Sequence, residues 1–239
     1  DQRRRYYFPE ANEQLGYRLV VPNTWDGVSA LPLVVFLHGA GNDENAYVDQ
    51  NNRQMARLAD QHGFVLVSAL GYGGAYGTMI RLPAVFGQPE EAAKMLAGIT
   101  PQRRATEAIS ERDVINVIEL VRGEYPINDE AMFLTGHSMG SGGTWYIGGK
   151  YSSYWAGMAP MSGPFVQALG YPWENLSTMP LLVTEGTGAT PSLAGSRVLR
   201  DWLKERDFDV TYKEVNADHT GMVPLVLPDV FQFFDDLVP

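Results

Sequence analysis

The stretch AMFLTGHSMGSGGTWY, residues 131–146, joins an apolar run to a glycine-rich segment through the pattern G-x-S-x-G. The apolar run predicts a strand, and the segment that follows predicts a helix. Glycines at 136 and 140 permit the sharp turn and the close strand–helix contact that such a connection needs. Ser138 would then stand exposed at the turn, where a nucleophile is placed. The alternative is a serine that only caps a helix after a glycine turn.

Apolar runs rich in β-branched residues recur on both sides of this stretch, with longer helix-like segments between them. The runs are YRLVVP (17–22), LPLVVFLHG (31–39), FVLVSAL (64–70), AMFLTG (131–136), WAGMAPMSG (155–163), PLLVTEG (180–186) and DVTYKEV (209–215). This alternation predicts an α/β fold. From Leu33 onward the runs are apolar at nearly every residue, which predicts a mostly parallel central sheet with helices on both faces. The early runs are more mixed and predict an antiparallel edge.

Apolar residues at helical spacing predict the main helices of the chain. The predicted helices cover 52–63, 104–125, 192–208 and 223–237. The last helix could begin its regular part at Pro228, because proline suits the first turn. Region 71–103 has no such period and is expected to be a long irregular loop or cap that faces the substrate.

The composition is that of a folded globular chain. Its 239 residues fit one domain over 1–239, and 45% hydrophobic against 19% charged residues exclude a disordered chain. The formal charge of −10 disfavours nucleic acid as a partner, and no run approaches the roughly 18 apolar residues that span a bilayer. Zero cysteines exclude disulfides and thiol catalysis. The sequence predicts a soluble protein; because numbering begins at Asp1, a mature secreted or periplasmic form stays open, as does the oligomeric state.

A second motif, FLHGAG at residues 36–41, ends another apolar strand. Acyl transfer needs hydrogen-bond donors for an oxyanion, one just after the nucleophile and one from the loop after an earlier strand. The predicted donors are the backbone N–H groups of Met139 and Ala40. Glycines at 39 and 41 would let this loop approach a substrate closely.

A serine nucleophile needs a base, and the chain has four histidines. His38 belongs to the oxyanion loop, His137 occupies a variable position of the serine motif, and His62 lies at a helix end. His219, in the loop NADHTG after the last apolar run, is the predicted general base. The alternative is an ordinary histidine of a surface loop.

Together, LPLVVFLHGAG, ISERDVINVIELV, FLTGHSMGSGGTWYIGGKY and NADH resemble the α/β-hydrolase superfamily. Within it they are similar to the carboxylesterase branch, with its polyhydroxybutyrate-depolymerase-like, feruloyl-esterase-like and phospholipase/carboxylesterase-like proteins. The resemblance covers nearly all of the chain from Tyr17 onward. It implies a serine hydrolase that cleaves carboxylic esters through an acyl-enzyme, without metal or organic cofactor. The substrate would be a small-molecule or polymer-derived ester.

The family pattern places the acid of the catalytic triad in a turn, Gly-x-x-Asp, after the strand that reads PLLVTEG here. This chain has Gly186-Thr187-Gly188-Ala189, so the matching position is Ala189. Glu185 at the strand end is the first alternative acid, although it could equally be a strand-end residue bonded to backbone. Glu174 and Asp218 are weaker alternatives. An acid changed to alanine, or a Ser–His pair that works without an acid, also stays open.

Aromatic and thioether side chains in 71–103 are suited to an apolar acyl or aryl pocket, or equally to a small core of the loop itself. The residues predicted to bind substrate are Tyr72, Tyr76 and Trp173; others in the region are Met79, Arg81, Phe86 and Met95. Two rival functions stay open. One is a peptidase on the same fold. The other is a non-catalytic or impaired binding module, motivated by Ala189.

Overall fold

The computed structural model describes residues 1–78, 86–188, 190 and 192–239. Its strands are β1 Gln2–Phe8, β2 Glu13–Val20, β3 Leu31–Leu37, β4 Val65–Ala69, β5 Ile127–His137, β6 Gly157–Met161, β7 Leu181–Gly186 and β8 Val210–Val215. They form one sheet in the order β1-β2-β4-β3-β5-β6-β7-β8. β1 pairs with β2 and β2 with β4 in antiparallel fashion, and all other pairs are parallel. The predicted mostly parallel sheet with an antiparallel edge is confirmed.

Helices cover both faces of this sheet. In the described part of the chain they are α1 Ala46–Gln61, α2 Pro89–Gly98, α3 Pro101–Glu124, α4 Met139–Lys150, α5 Leu193–Lys204 and α6 Val223–Asp235. Successive side chains of a strand point to opposite faces. Leu33, Val35 and Leu37 of β3 therefore join one core with residues of α3, α4 and α5. Val34 and Phe36 join a second core with residues of α1 and α6.

The covering helices bury stripes of apolar side chains. α3 buries Val114, Val117 and Val121, which recur at three- and four-residue spacing and so lie on one side of the helix. In α6, Phe234 stacks on Phe133 of β5 with ring centroids 4.7 Å apart. Burying one such ring stabilises the fold by about 1.5–3 kcal/mol. No helix among the described residues is both long and apolar enough to cross a membrane.

The structure departs from the predicted elements in three places. β1 is absent from the prediction because its arginine-rich sequence alternates between exposed and half-buried positions at the edge of the sheet. The prediction of an irregular 71–103 is wrong for α2, whose described side chains bury only Ala92 and so show no clear period. Pro228 lies inside α6, which begins at Val223. Met79 and Arg81 lie outside the described residues.

The carboxyl ends of four neighbouring parallel strands define one edge of the sheet. β3, β5, β6 and β7 lie side by side in that order. Their last residues and the loops that follow are consequently close together, which is where open α/β sheets bind ligands. The connection from β8 to α6, which carries His219, begins at the same edge.

Two glycines fix the junction between β5 and α4. A Cβ atom on Gly140 would lie 1.8 Å from the carbonyl oxygen of Leu37 and 2.5 Å from its carbonyl carbon. A Cβ atom on Gly136 would lie 2.4 Å from the carbonyl oxygen of Gly140. These contacts are with backbone, which no side-chain rotation can relieve. The close packing of α4 on the ends of β5 and β3 therefore requires the two glycines of the pattern G-x-S-x-G.

We expect Gly140→Ala to destabilise the fold by about 3 kcal/mol or more, because the added methyl group overlaps the backbone of β3. The matched change Gly123→Ala in α3 meets no atom within 4 Å and should stabilise the helix by up to about 1 kcal/mol. Urea unfolding of both variants measures the difference. Equal unfolding midpoints for the two variants would contradict the packing of α4 on β3.

Candidate active site

Ser138 lies at the turn between β5 and α4 in a strained backbone conformation. Its φ is 57° and its ψ is −115°, a backbone conformation that residues other than glycine rarely adopt. Its N–H donates to the carbonyl oxygen of Met161 in β6 at 3.0 Å. The glycine packing around the turn and this bond hold the strained conformation, and Ser138 remains partly exposed.

A continuous chain of hydrogen bonds runs from Ser138 into the protein. Ser138 Oγ lies 2.9 Å from His219 Nε2. His219 Nδ1 lies 2.7 Å from Ser162 Oγ, and Ser162 Oγ lies 2.6 Å from Glu185 Oε1. Ser162 directly follows β6, and Glu185 is the penultimate residue of β7. The chain thus crosses the carboxyl ends of three neighbouring strands, β5, β6 and β7.

The chemistry of the terminal carboxylate sets the direction of each bond. An ionised carboxylate only accepts hydrogen bonds, so the hydroxyl of Ser162 donates to Glu185. The oxygen of Ser162 is then free to accept from His219 Nδ1–H. A neutral imidazole with its proton on Nδ1 has a lone pair on Nε2, which faces the hydroxyl of Ser138. This is the tautomer that a general base for Ser138 requires.

Glu185 is fully buried and is held by hydroxyl groups. Its Oε2 accepts from Ser192 at 2.8 Å and from Ser196 at 2.7 Å. Its Oε1 accepts from Ser162 and from the N–H of Gly186 at 3.1 Å. These described partners include no lysine or arginine, so the charge is compensated by hydrogen bonds alone. Such compensation is what burial of a charge demands.

His219 is half-buried, and its surroundings act on its pKa in opposite directions. Burial lowers the pKa, whereas the negative charges of Glu185 and Asp218 raise it. Burial prevails, and the pKa of His219 lies below its ordinary value. The imidazole is therefore neutral, and able to accept a proton, at neutral pH.

His137 holds the loop that carries His219. Its Nε2 lies 2.7 Å from the carbonyl oxygen of His219, and its Nδ1 lies 2.7 Å from the hydroxyl of Tyr47. Because the carbonyl can only accept, Nε2 carries the proton and Tyr47 donates to Nδ1. Burial lowers the pKa of His137 to about 3, with a smaller contribution from His219. Both ring nitrogens of His137 are thus engaged in holding this loop.

The loop after β3 lies against this arrangement. The N–H of His38 donates to the hydroxyl of buried Tyr76 at 3.1 Å. A Cβ atom on Gly39 would lie 2.6 Å from the Tyr47 hydroxyl, so the loop touches the tyrosine that holds His137. Within the described part of the chain, the N–H groups of Ala40 and Met139 donate to no backbone or side-chain acceptor. Both donors are free for a ligand.

The structure brings together three of the predicted site residues, Ser138, His219 and Glu185. Ala189, the family's usual acid position, lies outside the described residues. Asp218 is exposed and accepts a hydrogen bond from the N–H of Gly221 at 2.6 Å, so it caps its own turn. Glu174 is exposed on the short 3-10 helix Trp173–Leu176. Neither carboxylate bonds to His219.

Tyr76 and Trp173, which the sequence predicts to bind substrate, are both buried. Tyr76 is fully buried, because its ring fills the space beside Gly143 and its hydroxyl braces His38. Trp173 is buried in an aromatic cluster, with its ring centroid 4.5 Å from that of Trp202. Tyr72 packs on Phe8 of β1, with ring centroids 5.1 Å apart. β1 lies four strands from β5 in the sheet, so the contacts of Tyr72 do not place it at Ser138.

The serines around Glu185 are missing from the sequence prediction. Ser162, Ser192 and Ser196 are all buried. A signal for Ser162 was present, because it is the first polar residue after the apolar run of β6 and thus stands at a carboxyl strand end. No comparable pattern marks Ser192 or Ser196, which reach Glu185 only through the packing of α5 on β7. Within the described ranges, no group of acidic residues and histidines is arranged to hold a metal ion.

A mostly parallel sheet that carries a strained serine between a strand and a helix is the architecture of α/β hydrolases. A family model described as the alpha/beta hydrolase family matches residues 34–236. The chain therefore belongs to the alpha/beta hydrolase family.

Three similar proteins are esterases by name. The bifunctional acetylxylan esterase/xylanase XynS20E of Neocallimastix patriciarum is 29% identical over 135 residues, which cover 56% of this chain and 16% of that protein. A thermostable esterase has a TM-score of 0.74 at 21% identity, with 98% of this chain and 62% of that chain covered. A ferulic acid esterase has a TM-score of 0.76 at 11% identity, with 99% and 98% covered. The chain thus spans only part of the first two proteins, and the two structures show likeness in fold alone.

The lowered pKa of His137 predicts how stability depends on pH. Folding favours the neutral imidazole, so this contribution is complete above the unfolded pKa of about 6.5 and is lost as the pH falls toward 3. In His137→Gln this loss should disappear, and the slope of unfolding free energy against pH should fall by up to about 1.4 kcal/mol per pH unit. Urea unfolding between pH 7 and pH 4 measures both slopes. Parallel curves for the two proteins would refute the assignment of a neutral, buried His137.

Proposed function

We propose that this protein hydrolyses carboxylic esters by a serine nucleophile mechanism. Ser138 is the nucleophile, His219 the general base and Glu185 the acid that orients the base. The backbone N–H groups of Ala40 and Met139 form the oxyanion hole. The observation that carries the proposal is the unbroken chain of hydrogen bonds from Ser138 through His219 to the buried carboxylate of Glu185.

In this mechanism Ser138 Oγ attacks the ester carbonyl carbon while its proton passes to His219 Nε2. The carbonyl oxygen becomes an oxyanion, which accepts hydrogen bonds from the N–H groups of Ala40 and Met139. His219 then returns the proton to the alcohol that leaves, and an acyl-enzyme remains on Ser138. Water then attacks the acyl carbon while its proton passes to His219 Nε2; the bond to Ser138 Oγ breaks, the histidine returns that proton to Oγ, and the carboxylic acid is released.

An ester is favoured over a peptide because the similar proteins are named as esterases of acetylxylan and of ferulic acid. No observation in the described residues favours a peptide. A non-catalytic module was motivated by the alanine at 189. The hydrogen-bond chain argues against such a module, because it links the histidine to the carboxylate of Glu185 through Ser162.

We propose that a substrate of moderate size extends from Ser138 toward an apolar groove along α4, whose lining does not itself include Ser138 or His219. The groove has a volume of about 610 Å³ and is lined in part by Phe165, Tyr146 and Tyr171. Phe165 is three residues from Ser162, and Tyr146 lies two turns along the helix that begins after Ser138. Lys150 in the groove wall is already paired with Glu111 at 2.6 Å, so the groove offers no free cation from that side chain. An uncharged apolar or aromatic group is the part of an ester that fits there.

Ser138→Ala should abolish hydrolysis of p-nitrophenyl acetate and butyrate, and it should prevent labelling by a fluorophosphonate. The fold should be retained, because the glycines and not the hydroxyl shape the turn. His219→Ala should lower kcat by about a thousandfold or more, since no other side chain can take the proton.

His62→Ala is the matched control for His219→Ala. His62 lies near Asp235, with its Nδ1 3.3 Å from that carboxylate, and it takes no part in the hydrogen-bond chain. This change should leave kcat within about twofold of the wild type, as expected of a residue outside the reaction. Comparable losses in the two variants would mean that the base is misassigned. Substantial activity in Ser138→Ala would refute the proposed function, and a panel of peptide anilides tests the rival peptidase.

The pH dependence of kcat/KM should reflect the lowered pKa of His219. The base works only when neutral, so activity should rise with pH and reach half its maximum below the ordinary histidine value of about 6.5. Glu185→Gln keeps the shape of the side chain and removes the charge that raises the pKa of His219. In that variant the half-maximal pH should fall further, while kcat should drop by about a hundredfold or more.

Ala189→Asp provides the complementary control, because it restores a carboxylate at the family's usual acid position. If Glu185 is the acid, this change should give no gain in turnover. A gain from Ala189→Asp, together with unchanged turnover in Glu185→Gln, would exclude Glu185 from the mechanism.

A further inference from the structure

Ser162 shares an uncommon backbone conformation with the nucleophile. Among the serines that the structure describes, only Ser138 and Ser162 have positive φ, at 57° and 49°. Such values disfavour every residue except glycine, with asparagine and aspartate the usual exceptions. These two serines are also the ones whose hydroxyls contact the two ring nitrogens of His219. Retention of a side chain in a strained conformation points to a use for its hydroxyl.

We propose that Ser162 is a positioning residue that transmits the orienting effect of Glu185 to His219 through its hydroxyl group. The proposal rests on the ester hydrolysis proposed above and deepens it. In this arrangement none of the described hydrogen bonds of Glu185 goes to His219. The hydroxyl of Ser162 is the only described link between them, at 2.7 Å from Nδ1 and 2.6 Å from Oε1.

A hydroxyl group is suited to this position because it accepts one hydrogen bond and donates another at the same time. When the proton of Ser138 moves to Nε2, the ring becomes a cation that keeps its proton on Nδ1. The oxygen of Ser162 then faces this positive ring, and its own proton points toward the negative carboxylate. No proton passes to Glu185, and Ser162 remains neutral throughout. The hydrogen bonds strengthen as the cation forms, which stabilises the transition state.

The surroundings of Ser162 hold its hydroxyl in place. The residue is fully buried, and its N–H donates to the carbonyl oxygen of Thr184 in β7 at 2.9 Å. Ser192 Oγ lies 3.2 Å from Ser162 Oγ and donates to the other carboxylate oxygen. With Glu185 fixed by these groups, the proton of Ser162 has one strong acceptor, and its lone pairs are left for His219.

Ser196 provides a matched control within the same cluster. It is also buried, and its hydroxyl donates to Glu185 at 2.7 Å, but it does not contact His219. Ser162→Ala and Ser196→Ala therefore each remove one hydroxyl donor from the same carboxylate. The difference in kcat between the two variants therefore measures the hydrogen bond to His219, because both variants weaken the cluster around Glu185 in the same way.

The test compares steady-state kinetics of wild type, Ser162→Ala and Ser196→Ala on p-nitrophenyl butyrate. Ser162→Ala should lower kcat by about a hundredfold with KM within about twofold, because it removes transition-state stabilisation and no substrate contact. Ser196→Ala should lower kcat by less than about fivefold. Equal kcat losses in the two variants, or a Ser162→Ala effect confined to KM, would overturn the proposal.

Proton NMR of the substrate-free protein gives an independent readout. A hydrogen-bonded Nδ1–H of His219 should give a slowly exchanging downfield resonance in the wild type and in Ser196→Ala. This resonance should be lost or shifted in Ser162→Ala. The pH of half-maximal kcat/KM should also fall in Ser162→Ala alone, because the bond that favours the charged ring is gone. The other titratable groups that face His219, namely Glu185, Asp218 and His137, are unchanged in both variants.

Ser162→Gly is a second variant in case the alanine variant does not fold. Glycine relieves the positive φ, so this protein should be more stable than Ser162→Ala while also lacking the hydroxyl. It should show the same loss of kcat and of the NMR signal, and full activity in Ser162→Gly would overturn the proposal. Failure of the proposed function would appear differently, as hydrolysis that survives Ser138→Ala.

Discussion

Backbone lies directly on backbone where α4 begins against the end of β3. The absence of a side chain at Gly140 lets the helix approach the carbonyl group of Leu37, and Gly136 in turn lets β5 approach Gly140. This contact fixes the turn between β5 and α4, and with it the strained conformation of Ser138. It also sets the position of the helix start relative to the loop that follows β3. The proposed nucleophile and both proposed oxyanion donors therefore depend on one close contact between two elements of the fold.

The buried carboxylate of Glu185 presents a different problem, because a charge inside a protein must be compensated. The structure uses three serine hydroxyls and a backbone N–H for this purpose. Hydrogen bonds to a charged group contribute about 1.5–3 kcal/mol each, which is comparable in sum to a desolvation penalty of several kcal/mol. A lysine or arginine could also hold the carboxylate, but its positive charge would oppose the formation of an imidazolium nearby. Neutral donors leave the negative charge free to act on His219.

The sequence was sufficient to predict the sheet apart from β1, because apolar runs and glycine patterns are local. The placement of Ser138 and His219 after strands was also predictable from chain order, whereas their roles in catalysis are proposals. Glu185 was one of several candidate acids, and only the structure distinguishes it from Asp218 and Glu174 by burial and by hydrogen bonds. The burial of Tyr76 and Trp173 is not visible in the sequence, because aromatic residues in a loop and in a core look alike there. Ser192 and Ser196 could not be predicted, because their contacts with Glu185 depend on how α5 packs against β7.

A carboxylate on a strand is positioned by the pairing of the sheet, whereas one on a turn is positioned by the conformation of that turn. Glu185 is paired within the sheet, where its neighbour in β8 is Glu214, and its position follows the hydrogen-bonded register of the strands. The turn after Gly186 therefore does not carry this carboxylate. That segment still contacts the site, because Ser192 and Ser196 donate to Glu185 and the N–H of Gly188 donates to the carbonyl oxygen of Ala217 in the loop that carries His219. The strand register thus sets the position of the carboxylate, and the segment that follows the strand supplies two of the hydroxyls that hold it.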